Sequence, residues 1–423
     1  MIRRLARCIR EYKWAALLSP LCMVGEVAME VLIPLVMADL YDYGIKMQDM
    51  QVVAAKSGIL VLCALASLSF GVLSAAFASK AGTGFAKNLR HDMYHQVQDF
   101  SFSNIDKFST ASIVTRLTSD VATLQNTFQM MIRIAIRCPM MLILALVSAM
   151  GISVRLSLVY CVALPILICA LLCLIPKVFR IFDRVFRTYD KMNNVVQENV
   201  HGIRVVKSFV REEHEEEKFA KRNNALKDSS MRAFGMVVIN MPIMMLIVYG
   251  TIIAVMWFGG KMVYAGTLPV GDLTAFFTYI TQILMSLMMV SMMFMMMTRS
   301  IACAKRIVEV LDERPAITDD SAKADAAVKD GSIDFDHVFF KYSETSPEWV
   351  LKDVNIHIPS GATVGILGGT GSGKTSLMSL IPRLYEAQEG TVSVGGRPVA
   401  DYTMEHLRES VSVVLQKNTL FSG

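Results

Sequence analysis

Charge is what this 423-residue chain has little of: Asp, Glu, Lys and Arg make up 19% of it, against about a quarter in ordinary soluble domains. The shortage is uneven. Residues 1–298 carry 49 charged side chains, 16% of that block, whereas residues 299–423 carry 30, or 24%. The signs divide too, with 29 basic against 20 acidic residues in the first block and 13 against 17 in the second. The first block therefore reads as membrane-like and the second as soluble. Cysteine pairing is also missing. The eight cysteines (Cys8, Cys22, Cys63, Cys138, Cys161, Cys169, Cys173 and Cys303) form no C-x-x-C pair and have no histidine at zinc spacing, so they read as small buried hydrophobes. A small soluble enzyme, a disulfide scaffold and a disordered chain are excluded. The basic first 13 residues do not introduce a cleavable signal peptide, because the apolar run from Trp14 is too long for one and is read as a membrane span.

Hydrophobic residues make up 53% of the chain, and they gather in runs of the length that crosses a hydrocarbon core, about 20 residues. Six segments qualify: Trp14 to Leu40, Ser57 to Ser79, Ile134 to Met150, Leu156 to Pro176, Gly235 to Gly260 and Leu273 to Thr298. Lys and Arg concentrate before the first, between the second and third, and between the fourth and fifth, where 13 lie from Lys177 to Arg232. The alternate loops are poor in them, with Lys46 and Lys56 in one, Arg155 in another and Lys261 in the third. The asymmetry predicts a multi-pass protein of the cell membrane whose N-terminus, two long loops and C-terminal block are cytoplasmic. Helical spacing continues through Phe85, Leu89, Met93 and Val97, and through Val195, Val196 and Val200, so the membrane helices are expected to extend into the cytoplasm.

The expected organisation is an amphipathic segment at 1–13, a membrane domain at 14–298, a linker at 299–331, and an α/β domain from 332 to 423. In the last, Ser332 to Tyr342 and Val350 to Ile358 read as strands, and Thr363 to Leu367 reads as a short buried strand feeding a glycine loop. That loop, Gly368-Gly369-Thr370-Gly371-Ser372-Gly373-Lys374-Thr375, matches G-x-x-x-x-G-K-[ST], and an amphipathic helix follows from Ser376. Glycines let consecutive backbone N–H groups curl around phosphate. Lys374 would reach the β- and γ-phosphates and the Thr375 hydroxyl would ligate Mg²⁺.

With these residues the chain resembles ATP-binding cassette (ABC) exporters in which six membrane helices with long cytoplasmic extensions precede a P-loop nucleotide-binding domain, here a partial one. The resemblance implies that Tyr342, in Val338-Phe339-Phe340-Lys341-Tyr342, stacks on adenine, and that Ser376 joins the phosphate site. It makes Val411 to Gln416 the strand entering the Q-loop, with Gln416 contacting Mg²⁺ and the attacking water. Asp106 to Ala111 with Arg116 and Asp120, and Glu198 to Phe209, resemble the two intracellular loops that carry coupling helices, although Ala111 stands where the family usually has Gly. The family's signature motif, Walker B strand and switch histidine have no counterpart before Gly423, so the chain is expected to be C-terminally truncated and inactive alone. The resemblance implies ATP and Mg²⁺ as cofactors and a second half-transporter, identical or not, as partner. It also implies export of a hydrophobic small molecule, lipid or peptide, and no nucleic acid. The alternative is a non-hydrolysing membrane interaction subunit that binds nucleotide for regulation.

Four weaker signals remain. Glu26 and Glu30 lie one helical turn apart inside the first span, where carboxylates are costly; they read either as a cation or substrate contact or as a structural pair with basic groups of another helix. The run Met285, Met288, Met289, Met292, Met293, Met295, Met296 and Met297 suits lipid and core packing or an adaptable apolar binding face. Arg133 and Arg137 are expected to snorkel to the inner headgroups. The acidic run from Glu212 to Glu217 is expected to be a solvated helix face.

Overall fold

The computed structural model describes residues 1–319, 327–343 and 346–414. Helices dominate: α1 (Ile2–Arg7), α2 (Lys13–Asp39), α3 (Met50–Gln98), α4 (Phe102–Phe108), α5 (Thr110–Thr115), α6 (Val121–Ile152), α7 (Val154–His201), α8 (Ile203–Ser208), α9 (Glu212–Tyr264) and α10 (Val270–Asp312). They are followed by β1 (Ile333–Phe340), β2 (Leu351–Ile358), α11 (Lys374–Leu380), β3 (Glu389–Val394), β4 (Arg397–Pro398) and α12 (Met404–Ser410). The fold is thus an α-helical membrane-type region followed by a small α/β domain built on a sheet. Five helical stretches among the described residues are long and apolar enough to cross a membrane, and α7 contributes a shorter described apolar stretch, Val154–Ala170. The 49 residues of α3 would extend about 74 Å at 1.5 Å per residue, far beyond a hydrocarbon core of about 30 Å.

The chain divides into two compact units. One comprises 9–85 and 124–301. Its core is drawn from helical faces: Met23, Val27 and Val31 recur every four residues along α2 and meet Met141 and Ala145 of α6, Tyr160 of α7, Val248 of α9, and Phe276, Tyr279 and Ile283 of α10. Buried hydroxyls find backbone acceptors, as burial in an apolar medium demands. Tyr279 donates to the Val31 carbonyl at 2.9 Å and Tyr160 donates to that of Phe276. Ser19 and Ser74 donate to each other's carbonyls at 3.0 and 3.1 Å, a reciprocal bond that small side chains permit where α2 and α3 come close.

In the same unit Arg137 differs from expectation. It lies in the middle of α6, where its Nη1 donates to Glu26 Oε1 at 2.9 Å and its Nη2 to both Glu30 oxygens at 2.8 and 2.7 Å. About 22 Å of helix separates it from Ile152, on the rise of 1.5 Å per residue. The guanidinium is paired inside the bundle instead of reaching headgroups, because a charge without a partner at that depth is the costlier arrangement.

The second unit comprises 1–8, 86–123 and 302–423. Its sheet has the order β2-β1-β3-β4 and is antiparallel throughout, with β1 pairing β2 (Ile333 opposite Ile358) and β3 (Ile333 opposite Val394). Phe335, Val338 and Phe340 of β1, Val392 and Val394 of β3, Leu377 and Leu380 of α11, and Leu407 of α12 form its core. Two expected strands are not formed within the described residues. Residues 362–369 and 411–414 run without ladder bonds, and Leu367 and Val414 are 97% and 89% exposed. A buried parallel strand needs a neighbour on each side, and among the described residues no strand lies beside either segment. Helix α11 also ends at Leu380, short of the Leu384 that periodicity suggests.

Phe340 is fully buried in this core. Phe340→Ala is expected to destabilise the unit by about 3–5 kcal/mol, read as lost hydrogen-exchange protection of the β1 and β3 amides. Lys352→Ala, on the exposed side of β2, should stay within about 0.5 kcal/mol of the parent.

Candidate functional site

The glycine loop joins 362–369 to α11. Gly371 and Gly373 have φ of +84° and +86°, conformations L side chains rarely adopt. At Gly373 a Cβ would stand 2.8 Å from Leu351 Cδ2 and 3.1 Å from the Val350 carbonyl oxygen, so space also demands glycine there. Gly368 packs just as closely, since a Cβ on it would come within 2.6 Å of Ser372 Oγ. Gly369 has open space around it. The Lys374 ammonium folds back over the loop and donates to the carbonyls of Gly368 and Gly369, both at 2.7 Å, with Ser372 Oγ at 3.4 Å. A cation is thereby held in the hollow of the loop by neutral acceptors. Thr370 and Thr375 are exposed, whereas Ser376 is buried.

Tyr342 sits two residues beyond β1 and is half exposed. Its hydroxyl lies 2.8 Å from Ser376 Oγ, which ties the aromatic residue to the helix that begins at the loop. Its ring meets Phe340 edge-on at 4.9 Å and Tyr385 edge-on at 5.1 Å. The strand end is fixed by Gln388, whose Oε1 accepts from the Lys341 backbone N–H at 2.8 Å and whose Nε2 donates to the Lys341 carbonyl at 3.1 Å. The structure therefore brings the loop residues 368–375, Ser376 and Tyr342 together. Gln416 lies outside the described residues.

Sequence reasoning missed Tyr385 and Gln388. Tyr385 donates its hydroxyl proton to Asp106 Oδ2 at 2.6 Å and meets the Phe102 ring at 6.0 Å, both on α4. Burial pushes the Tyr385 hydroxyl well above the ordinary tyrosine range, and the Asp106 carboxylate adds to the shift, so it stays a donor at neutral pH. A continuous set of contacts within one compact unit thus runs from Ser376 through Tyr342 and Tyr385 to the Asp106 segment. A faint signal existed in the aromatic and amide residues of Tyr385-Glu386-Ala387-Gln388, but nothing in their spacing names a partner 279 residues away.

The same segment is clamped to the end of α10. Arg306 donates from Nε and Nη2 to the two Asp120 oxygens at 2.8 and 2.6 Å, Arg116 pairs with Glu309 at 3.0 Å, and Lys107 pairs with Glu313 at 2.7 Å. Asn104, buried, donates to the Glu313 carboxylate and the Arg314 carbonyl and accepts from the Ala316 N–H.

Two family profiles match this chain: ABC transporter transmembrane region over residues 16–287 and ABC transporter over 351–423. Among curated proteins it is similar to an uncharacterized ABC transporter ATP-binding protein of Bacillus subtilis, YfiB, 33% identical over 98% of this chain and 72% of the relative. It is likewise similar to an ABC transporter ATP-binding protein of Mycobacterium tuberculosis, 32% identical over 100% of this chain and 73% of the relative. An ATP-dependent lipid A-core flippase of Desulfotalea psychrophila is 28% identical over 83% of this chain and 62% of the relative. The chain belongs to the ABC transporter family, with a transmembrane region and an ATP-binding domain fused as in an exporter half-transporter.

Gly373→Ala is expected to strain the loop by about 1–2 kcal/mol and to displace Leu351. Affinity for a fluorescent ATP analogue should fall about tenfold or more, while Gly369→Ala, which meets open space, should bind more nearly as the parent does.

Proposed function

We propose that this protein is one subunit of a dimeric ABC exporter that couples ATP binding and hydrolysis to outward movement of a hydrophobic or amphipathic substrate across the cell membrane. The observation that carries the reading is the joined arrangement of a phosphate-sized glycine loop, an aromatic side chain beside it, and an aromatic and hydrogen-bonded link from that side chain to a helical segment at the end of α3.

The loop suits a nucleotide triphosphate. Its backbone turns at Gly371 and Gly373, and its hollow already holds the Lys374 ammonium, whose carbonyl partners a phosphate oxygen could replace. Tyr342 would stack on the base, Ser376 would support the phosphate end, and Lys374 would neutralise the β- and γ-phosphates. The exposed Thr375 hydroxyl would hold Mg²⁺, and Gln416 would complete its shell and orient the attacking water. Held by Thr375 and Gln416, Mg²⁺ would supply positive charge to the phosphate end of the nucleotide.

Coupling would run through the Tyr342, Tyr385 and Asp106 contacts into α3, and through the clamp on Glu309 and Glu313 into α10. The second cytoplasmic tip is α8, around which Val205 and Phe209 are largely exposed; as a coupling helix it would dock on the cassette of a partner subunit. The basic loops support a cytoplasmic position for both tips and the ATP-binding domain. The lipid A-core flippase among the relatives supports a lipid-like or otherwise amphipathic substrate.

In proteoliposomes the full-length protein that contains this chain should show vanadate-sensitive ATP hydrolysis that Lys374→Ala lowers about a hundredfold or more, the loss typical of removing a group that stabilises transition-state charge. Nucleotide binding with no hydrolysis would instead favour a regulated membrane interaction subunit.

A further inference from the structure

We infer that Gln388 is a positioning residue for nucleotide binding: its side-chain amide extends the pairing of β1 with β3 past the end of the strand and so fixes Tyr342 where a purine base can stack on it. This role rests on the exporter reading, in which Tyr342 takes the base, and adds to it a residue that acts through Tyr342.

Strand β1 ends at Phe340, and its register with β3 runs as far as Phe339 opposite Glu389. The backbone N–H of Gln388 carries the pairing one step on by donating to the Phe339 carbonyl at 3.1 Å. Among the described residues β3 places nothing opposite Lys341, so the N–H and C=O of that residue find no rung in the ladder. A primary amide offers the same two functions as a peptide group, an acceptor oxygen and a donor N–H. Gln388 uses both: Oε1 accepts from the Lys341 N–H at 2.8 Å and Nε2 donates to the Lys341 carbonyl at 3.1 Å. One side chain thereby stands in for a missing strand residue, and alanine could supply neither bond.

The Lys341 side chain is held as well. Its ammonium lies 5.0 Å from the centre of the Trp349 ring and donates to the Ser346 carbonyl at 3.4 Å, and Trp349 in turn meets Phe339 edge-on at 5.4 Å. Lys341 is thus gripped through both its backbone and its side chain, and Tyr342 is the next residue. The Tyr342 ring is 48% exposed, and its contacts with Phe340, Tyr385 and Ser376 hold it only while the backbone that carries it stays in place. Ordering a loose strand end when a ligand binds costs conformational entropy; a residue already held avoids that cost and binds more tightly. The hydrogen bonds of Gln388 go to Phe339 and Lys341, and the phosphate loop is built by other residues. Its influence should therefore reach the base and spare the phosphates.

The test is calorimetric binding of two ligands, with Mg²⁺ present, to the full-length protein that contains this chain in lipid nanodiscs. One is the non-hydrolysable ATP analogue adenylyl imidodiphosphate, and the other is inorganic tripolyphosphate, which has phosphates and no base. Tyr342→Ala should weaken the nucleotide about tenfold, the loss of one base stack, and leave tripolyphosphate within about twofold of the parent. Gln388 is exposed, so Gln388→Ala keeps the core of the sheet; it should weaken the nucleotide about fivefold and spare tripolyphosphate likewise. In the double variant Gln388→Ala should add nothing to the loss that Tyr342→Ala already causes, since a residue acting through another is not additive with it. The proposal is overturned if Gln388→Ala binds both ligands as the parent does, loses both equally, or adds its loss to that of Tyr342→Ala. A nucleotide loss in Tyr342→Ala with none in Gln388→Ala would remove the positioning role and leave base stacking, ATP hydrolysis and its loss in Lys374→Ala standing. No loss in Tyr342→Ala would strike the stacking reading and the positioning role together.

Discussion

Within hydrocarbon every backbone N–H and C=O must find its partner inside its own segment, because no water is there to receive it. This constraint shapes more of the chain than any single contact. It makes each apolar stretch a helix, and a helix already propagated through a membrane continues wherever nothing stops it. Thus α3 extends for 49 residues, α7 for 48 and α9 for 53 without a break. Pro242 lies inside α9 and Pro139 inside α6, and both helices run through them. The far ends of such helices are polar, yet they inherit the direction and stiffness of the apolar part.

What fastens those ends differs in kind from what holds the apolar core. In the unit that contains the ATP-binding domain, the end of α10 meets the residues after α3 through charges: Asp120 with Arg306, Arg116 with Glu309, Lys107 with Glu313. Asp120 and Arg116 are buried while their partners Arg306 and Glu309 are half exposed, and the pair of Lys107 with Glu313 is the more exposed kind that contributes about 0–1 kcal/mol. Beside the pair at Glu313 lies Asn104, buried, whose amide makes hydrogen bonds to Glu313, Arg314 and Ala316. A buried amide with all its capacity used gives the junction a single register. Tyr385 adds a directional bond from the cassette side, and its raised hydroxyl keeps that bond intact across the physiological pH range.

The helical class, five of the six expected apolar stretches and the turns of the glycine loop were legible because each is written in contiguous residues. Runs of about 20 apolar residues announce a span, and the eight residues from Gly368 to Thr375 announce the loop. Strands β1 and β2 were legible from alternation and formed almost where expected. The segment 363–367 looked like a strand on the same grounds and is not one, because a strand is a relation between neighbours and its sequence records only one member. Arg137 was misjudged for a similar reason. Its nearness to the basic loop suggested headgroups, whereas Glu26 and Glu30, more than a hundred residues away, decide its position. Tyr385 and Gln388 lay in no motif and became visible only as partners of Asp106 and Lys341.

The two cations at the centre of the polar sites, Lys374 and Arg137, rest on opposite kinds of acceptor. Lys374 is held by two backbone carbonyls and a hydroxyl in an exposed loop. A neutral carbonyl attracts the ammonium less than a full negative charge does, so an anion entering the loop can draw the ammonium away from them. Arg137 is held by two full carboxylates inside the bundle, where leaving either would strand a charge in low dielectric. Its position is therefore fixed. One site is built to exchange its cation's partners and the other to keep them, and the difference follows from burial and acceptor charge alone.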